Sequence, residues 1–268
     1  MFGIGLLAPH ASARNGVPDV PDAQWPAAPA PSASASFVPS PRCEGAAAVA
    51  AEAAGFSADR VGGCAGWSKV RWCGIEWDEW SMVRALVTPA DVVLEVGARF
   101  GTTSCELARA TGNAGRVVAV EPDASVHAAL LANRDAHCCN VAVLRGTVGA
   151  HPLVMSRSGR SYNSQTRAAR PGEPSLPHST VAQLEARVGA PFTTALIDCE
   201  GCIDHVLGGD GGAPLLSRLQ LLLMEEDNNQ RATVNYSAWY GRLRALGFRL
   251  VWRAAESVME CAGARPSR

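Results

Sequence analysis

Residues Val92–Ser104 read VVLEVGARFGTTS, and Arg116–Asp123 read RVVAVEPD. Together they constrain the fold of this chain more than any other feature. Val92–Val96 is a short apolar run of the kind that is buried on both faces of a parallel sheet. Gly97 lacks a side chain where the backbone must approach another group closely, and Gly101 permits a sharp turn into a helix starting near Thr102. About 20 residues further on, a second apolar run ends in Glu121, positioned to accept hydrogen bonds from ribose hydroxyls. Strand, glycine turn, helix, strand and acidic tip form the layout of a nucleoside site at the carboxyl edge of a parallel sheet.

The glycine spacing narrows the ligand. A dinucleotide site takes G-x-G-x-x-G, whose glycines admit a pyrophosphate. Here the pattern is Glu95-x-Gly97-x-x-x-Gly101. A carboxylate before the first glycine disfavours a pyrophosphate and suits a ligand carrying ammonium and sulfonium groups. This pattern resembles the first motif of the Rossmann-like S-adenosylmethionine-dependent methyltransferases.

The alternation around the motif predicts a three-layer α/β domain with a mostly parallel sheet. Strands are expected at 92–96, 116–121, 141–145, 193–198 and 219–225, and helices at 102–110, 123–135, 179–188, 202–207 and 236–246. Two last runs, 248–252 and 257–261, predict an antiparallel C-terminal hairpin. Gly208–Gly212 reads as a flexible turn. Residues 156–179 interrupt the alternation and read as a long loop whose Arg157, Arg160, Arg167 and Arg170 could meet an acceptor.

Before this domain, residues 1–45 are rich in Ala, Pro and Ser, with eight of the seventeen prolines before Arg42. That composition predicts a disordered tail or a targeting segment. Residues 46–90 read as a helical extension, and residues 91–268 as the ligand-binding domain. The extension holds Trp67, Trp72, Trp77 and Trp80, four of seven tryptophans. Its helix is expected over 75–87, either as packing for the sheet or as a lid.

A net charge of −1 predicts no electrostatic grip on nucleic acid. No apolar run reaches the roughly 18 residues of a membrane span. The compartment stays open between the cytoplasm and the destination of a targeting peptide. Nine cysteines show no zinc-type spacing. Cys199–Cys202 reads as incidental rather than redox-active, and Cys64–Cys73 could pair in an oxidising compartment.

The late segment ALIDCEGCIDHVLGG narrows the resemblance to the FkbM-type methyltransferases, with VLEVGARFGTTS, VVAVEPDASVHAALLANR, NVAVLRGTVG and TVAQLEARVG also similar. The resemblance spans about 90–260. It implies a Rossmann-like methyltransferase fold, S-adenosylmethionine as methyl donor, and O-methylation of a sugar, glycan or secondary metabolite. Residue by residue, it implies that Glu95, Gly97, Ala98 and Gly101 hold the methionine part, Glu121 and Pro122 the ribose, and Gly146 and Thr147 the adenine. Asp198 and Glu200 would face the reacting centre. Asp198 is the candidate base and His205 the runner-up. Ile203 and Leu196 stand where that family often has polar residues.

Three alternatives accompany this reading. Asp198 with Asp227 and Asn228 could form a Mg²⁺ site like that of catechol-type O-methyltransferases, although the 156–179 interruption fits that class poorly. The chain could also be an inactive binding module, and a nicotinamide oxidoreductase is disfavoured by the glycine pattern.

Overall fold

A computed structural model describes residues 3–7, 36–38, 67–70, 76–157, 164–226 and 234–253. The first strands are β1 (Gly3–Leu7) and β2 (Ser36–Val38), followed by helix α1 (Trp77–Leu86). The repeating α/β part holds β3 (Val93–Val96), α2 (Thr102–Ala110), β4 (Val117–Glu121), α3 (His127–Ala136) and β5 (Val141–Arg145). The interruption contributes β6 (Thr147–Val148), β7 (Leu153–Arg157), β8 (Gln165–Ala168) and β9 (His178–Ser179). Then come α4 (Val181–Val188), β10 (Thr194–Ile197), α5 (Ile203–Leu207), α6 (Gly209–Leu216), β11 (Leu221–Glu225), α7 (Tyr236–Ala245) and β12 (Arg249–Arg253).

The main sheet runs β12-β1-β11-β10-β3-β4-β5-β2. Its five inner strands β11-β10-β3-β4-β5 are parallel, in agreement with the expected α/β class. Alternation along these strands sends side chains to two separate cores. Leu94, Val96, Val118, Val120 and Leu144 enter one, and Val93, Val117, Ala119, Val141 and Val143 the other. The chain lays β3, β4 and β5 outward in one direction, then returns to place β10 and β11 on the other side of β3. Neighbouring loops therefore diverge between β3 and β10, which opens a crevice at the carboxyl ends of the strands.

Local signals define the helix ends. In α4 the Thr180 hydroxyl accepts from the Gln183 N–H, and the Gln183 side chain accepts from the Thr180 N–H. This reciprocal cap satisfies two main-chain donors that the helix cannot. The left-handed Gly189 closes the other end. Gly101, with φ of 84°, starts α2, where a side chain would also press on Leu130.

Several expectations are corrected. Two pieces of the Ala/Pro/Ser-rich segment are strands: β1 pairs antiparallel with both β11 and β12, and β2 with β5. Composition gave no hint of this, because β1 obtains its hydrogen bonds from partners more than 200 residues away. The antiparallel strand beside β12 is therefore β1, and 257–261 lies outside the described residues. Gly209–Gly212 is the start of α6 rather than a free turn. The 156–179 interruption contains a separate antiparallel hairpin, β7–β8, and a short parallel pair, β6–β9.

Two tryptophans of the extension, Trp67 and Trp80, make packing contacts. Trp80 is fully buried, and Arg84 ties α1 to α2 through Glu106 at 2.7 Å. Trp67 stacks on His137 with ring centroids 4.1 Å apart. Trp72 lies outside the described residues.

Two disulfides join described cysteines, Cys105–Cys139 and Cys199–Cys202. Cys138 is also disulfide-bonded, and Cys64 and Cys73 lie outside the described residues. The first bridge closes a long loop and removes about 4 kcal/mol of unfolded-chain entropy, the second only about 2 kcal/mol. Cys105–Cys139 is thus a staple of the core, while Cys199–Cys202 acts mainly on its own turn.

Candidate functional site

The strand ends are held in step by main-chain bonds. The Asp198 N–H donates to the Val96 carbonyl at 3.0 Å, the Gly97 N–H to Val120 at 2.9 Å, and the Gly146 N–H to Glu121 at 3.0 Å. They border a crevice of about 620 Å³ that is open to solvent. Gly97, Glu121, Pro122, Gly146, Thr147, Asp198 and Glu200, seven of the expected site residues, line it.

Gly97 has φ of 101°, and a Cβ there would lie 1.6 Å from the Asp198 carbonyl oxygen. The close approach expected at this glycine is thus to the β10 turn. Gly97 lets two crevice-lining loops touch.

Glu121 is the best-defined polar group of the site. It is 1 % exposed, and its two carboxylate oxygens accept the main-chain N–H groups of Arg99 at 2.8 Å and Asp123 at 2.7 Å. Each oxygen retains a lone pair for a further donor. Burial pushes its pKa up to about 7, against the pull of the Asp123 and Arg99 hydrogen bonds. Arg99 spans the same corner with its guanidinium 3.2 Å from Asp123.

Asp198 leaves β10 beside Glu225, the adjacent position on β11. Burial raises its pKa well above the ordinary carboxyl range, and the Glu225 carboxyl, then Glu76 and Glu79, raise it further. Glu79 is itself raised by burial and by Glu76 and Glu225. These four acids converge from α1, β10 and β11, so Asp198 retains a proton far more readily than an exposed aspartate.

Four expected residues do not line the crevice. Strand alternation turns Val96 toward it and therefore Glu95 away. The Glu95 carboxyl is buried, accepts the Ser104 hydroxyl of α2, and is pushed up to about 8 chiefly by burial. At neutral pH it is a neutral acid, which corrects the expectation of a carboxylate facing a cation. Ala98 is buried in the core beneath α2, and Gly101 serves as the cap of that helix. His205 is turned aside because Ile203 and Val206 take the core-facing positions of α5. Its carbonyl instead packs on Gly149 and accepts the Ala150 N–H.

Asp227 and Asn228 lie outside the described residues. Among the described residues no group of three or more His, Cys, Asp and Glu side chains has the arrangement of a metal site. Asp204 accepts the Trp239 indole N–H at 2.6 Å and so locks α5 to α7.

Sequence reasoning missed part of the wall. Leu153, Ser164 and Thr166 of the β7–β8 hairpin line the crevice, with Glu76, Arg99, Cys199 and Cys202. Within this segment the Arg167 guanidinium pairs with the Glu173 carboxylate. Arg160 lies outside the described residues. Neither Leu153–Arg157 (LVMSR) nor Gln165–Ala168 (QTRA) alternates apolar and polar residues, so no period-2 signal marks these strands.

No helix among the described residues is long and apolar enough to cross a membrane. Comparison with protein-family models, with curated proteins and with solved structures finds no match.

Proposed function

We propose that this protein is an S-adenosylmethionine-dependent methyltransferase of the FkbM type that methylates a hydroxyl oxygen of a sugar or secondary metabolite. The observation that carries this reading is Glu121. It stands at the end of the strand following the glycine turn, with both oxygens oriented by main-chain donors and each retaining a lone pair. That geometry suits the two hydroxyls of a ribose, and the crevice beside it lies at the topological switch point.

The residues present fit the donor. Glu121 and Pro122 would hold the ribose, Gly146 and Thr147 the adenine side, and the main chain at Gly97 the methionine side. When bound, the donor supplies an electrophilic methyl group. This chain's own residues would align the acceptor and exclude water, which is where most of the acceleration arises. Asp198, with its pKa raised by burial and by Glu225, would receive the hydroxyl proton. Glu200 lines the same turn and would orient the acceptor.

Calorimetric titration of the full chain with S-adenosylmethionine and S-adenosylhomocysteine, with NADH as control, tests the reading. The full chain is required because a fragment starting at 46 lacks β1 and β2. Micromolar binding of both sulfur ligands, none of NADH, and loss of at least about a hundredfold in Glu121→Ala are expected. A folded protein that binds neither refutes it. Binding with no turnover in a broad acceptor screen would favour the inactive-module alternative.

A further inference from the structure

The turn that carries Asp198 and Glu200 is closed by a disulfide that the proposed reaction does not use. Cys199 and Cys202 both line the crevice. Cys199 is half-buried, whereas Cys202 is 4 % exposed. The Cys202 N–H donates to Cys199 Sγ at 3.2 Å. A main-chain donor on an accessible sulfur stabilises a thiolate there, while the partner sulfur is shielded. The Cys105–Cys139 bridge offers the opposite setting, with both cysteines 5 % exposed or less.

The bridge spans Glu200 and Gly201, whose φ values of 56° and 97° are both left-handed. A glutamate rarely adopts that conformation, and such a conformation persists only where the surroundings impose it. The disulfide is the covalent constraint on this turn. Opening it frees Glu200 to return to ordinary backbone geometry and changes the wall of the crevice.

We propose that Cys199–Cys202 is a redox-active pair, reduced by dithiols, whose opening loosens the Asp198–Cys202 turn and lowers the affinity of the crevice for its ligand. A thiolate of the reductant attacks Cys199 Sγ, and the Cys199–Cys202 bond breaks. Cys202 leaves as a thiolate and takes up a proton. The second thiol of the reductant, as a thiolate, then displaces Cys199, whose sulfur is stabilised by the Cys202 N–H and is in turn protonated. Two electrons and two protons pass to the protein, and the reductant leaves as its disulfide.

The affinity part rests on the S-adenosylmethionine reading, and the redox part does not. The full chain, purified without reductant, is equilibrated in graded dithiothreitol, alkylated with a mass tag and mapped. The Cys199–Cys202 peptide should label at a reductant concentration at least about tenfold below that needed for Cys105–Cys139. Hydrogen exchange of the 198–202 amides should speed up about tenfold on reduction of wild type, and equally in Cys199→Ser/Cys202→Ser without reductant. S-adenosylhomocysteine affinity should fall about tenfold in the same two samples.

Free thiols at both positions in the isolated protein, or opening no earlier than Cys105–Cys139, would overturn the proposal. So would early opening without any change in 198–202 exchange. If the oxidised protein binds no S-adenosylhomocysteine, the methyltransferase reading fails, and labelling with exchange on wild type still decides the redox pair.

Discussion

Glu95→Gln should remove a large part of the stability that the protein loses as pH rises. Glu95 is 0 % exposed, its Oε1 has no hydrogen-bond partner, and Oε2 meets only the Ser104 hydroxyl. Burial holds the folded pKa at about 8, above the ordinary 4.5; the Ser104 bond opposes this, and the Glu76 and Glu121 carboxyls add to it. Between those two values the folded chain binds a proton that the unfolded chain has released. Stability therefore falls as pH rises through that window, by about 1.4 kcal/mol per pH unit. The whole window from 4.5 to about 8 amounts to roughly 5 kcal/mol, a large share of a typical folding free energy. Glutamine replaces a neutral acid by a neutral amide of the same shape, so at pH 5 the variant should lie within about 1 kcal/mol of wild type. By pH 9 it should be more stable by several kcal/mol. Urea unfolding of both proteins from pH 5 to 9 reads this directly. Parallel curves across the range would show that Glu95 does not carry the buried proton.

Three further outcomes are expected. Gly97→Ala forces a Cβ to within 1.6 Å of the Asp198 carbonyl at a left-handed φ, so it should cost at least about 3 kcal/mol, read as a lowered unfolding midpoint; a midpoint equal to wild type would contradict the described contact between the two loops. Asp198→Asn should lower methyl transfer by about a hundredfold or more while leaving S-adenosylhomocysteine binding within a few-fold, and unchanged turnover would remove Asp198 from the proton path. Leu6→Pro deletes a main-chain donor from a strand paired on both sides and should destabilise the chain by about 3 kcal/mol in denaturant unfolding, whereas an unaffected midpoint would mean that β1 does not complete the sheet.

The elements readable in the sequence are those whose signal is local. Val93–Val96, Val117–Glu121 and Val141–Arg145 are apolar runs because parallel strands are buried on both faces, and the helices between them carry their own apolar periodicity. Gly97 and Glu121 were legible for the same reason, since a strand, its turn and the next strand tip lie within about 30 residues. The sequence also marked Asp198 and Glu200, because they follow directly on a strand.

Tertiary structure decided which way the neighbouring side chains face and what else reaches the crevice. Glu95 and Val96 are adjacent in sequence, yet only the sheet orientation sends one to the core and the other to the site. Glu76 and Glu79 gain their importance from the docking of α1 against β1 and β11, a contact with no local signature. The same holds for Gly3–Leu7, a short apolar run whose pairing partners, β11 and β12, lie more than 200 residues away. Leu153, Ser164 and Thr166 join the wall through a hairpin that sequence composition disguised as a loop. Periodicity reports the secondary structure and burial of a segment. Which distant segments share a cavity depends on the summed packing of the whole chain, and no window of the sequence contains that information.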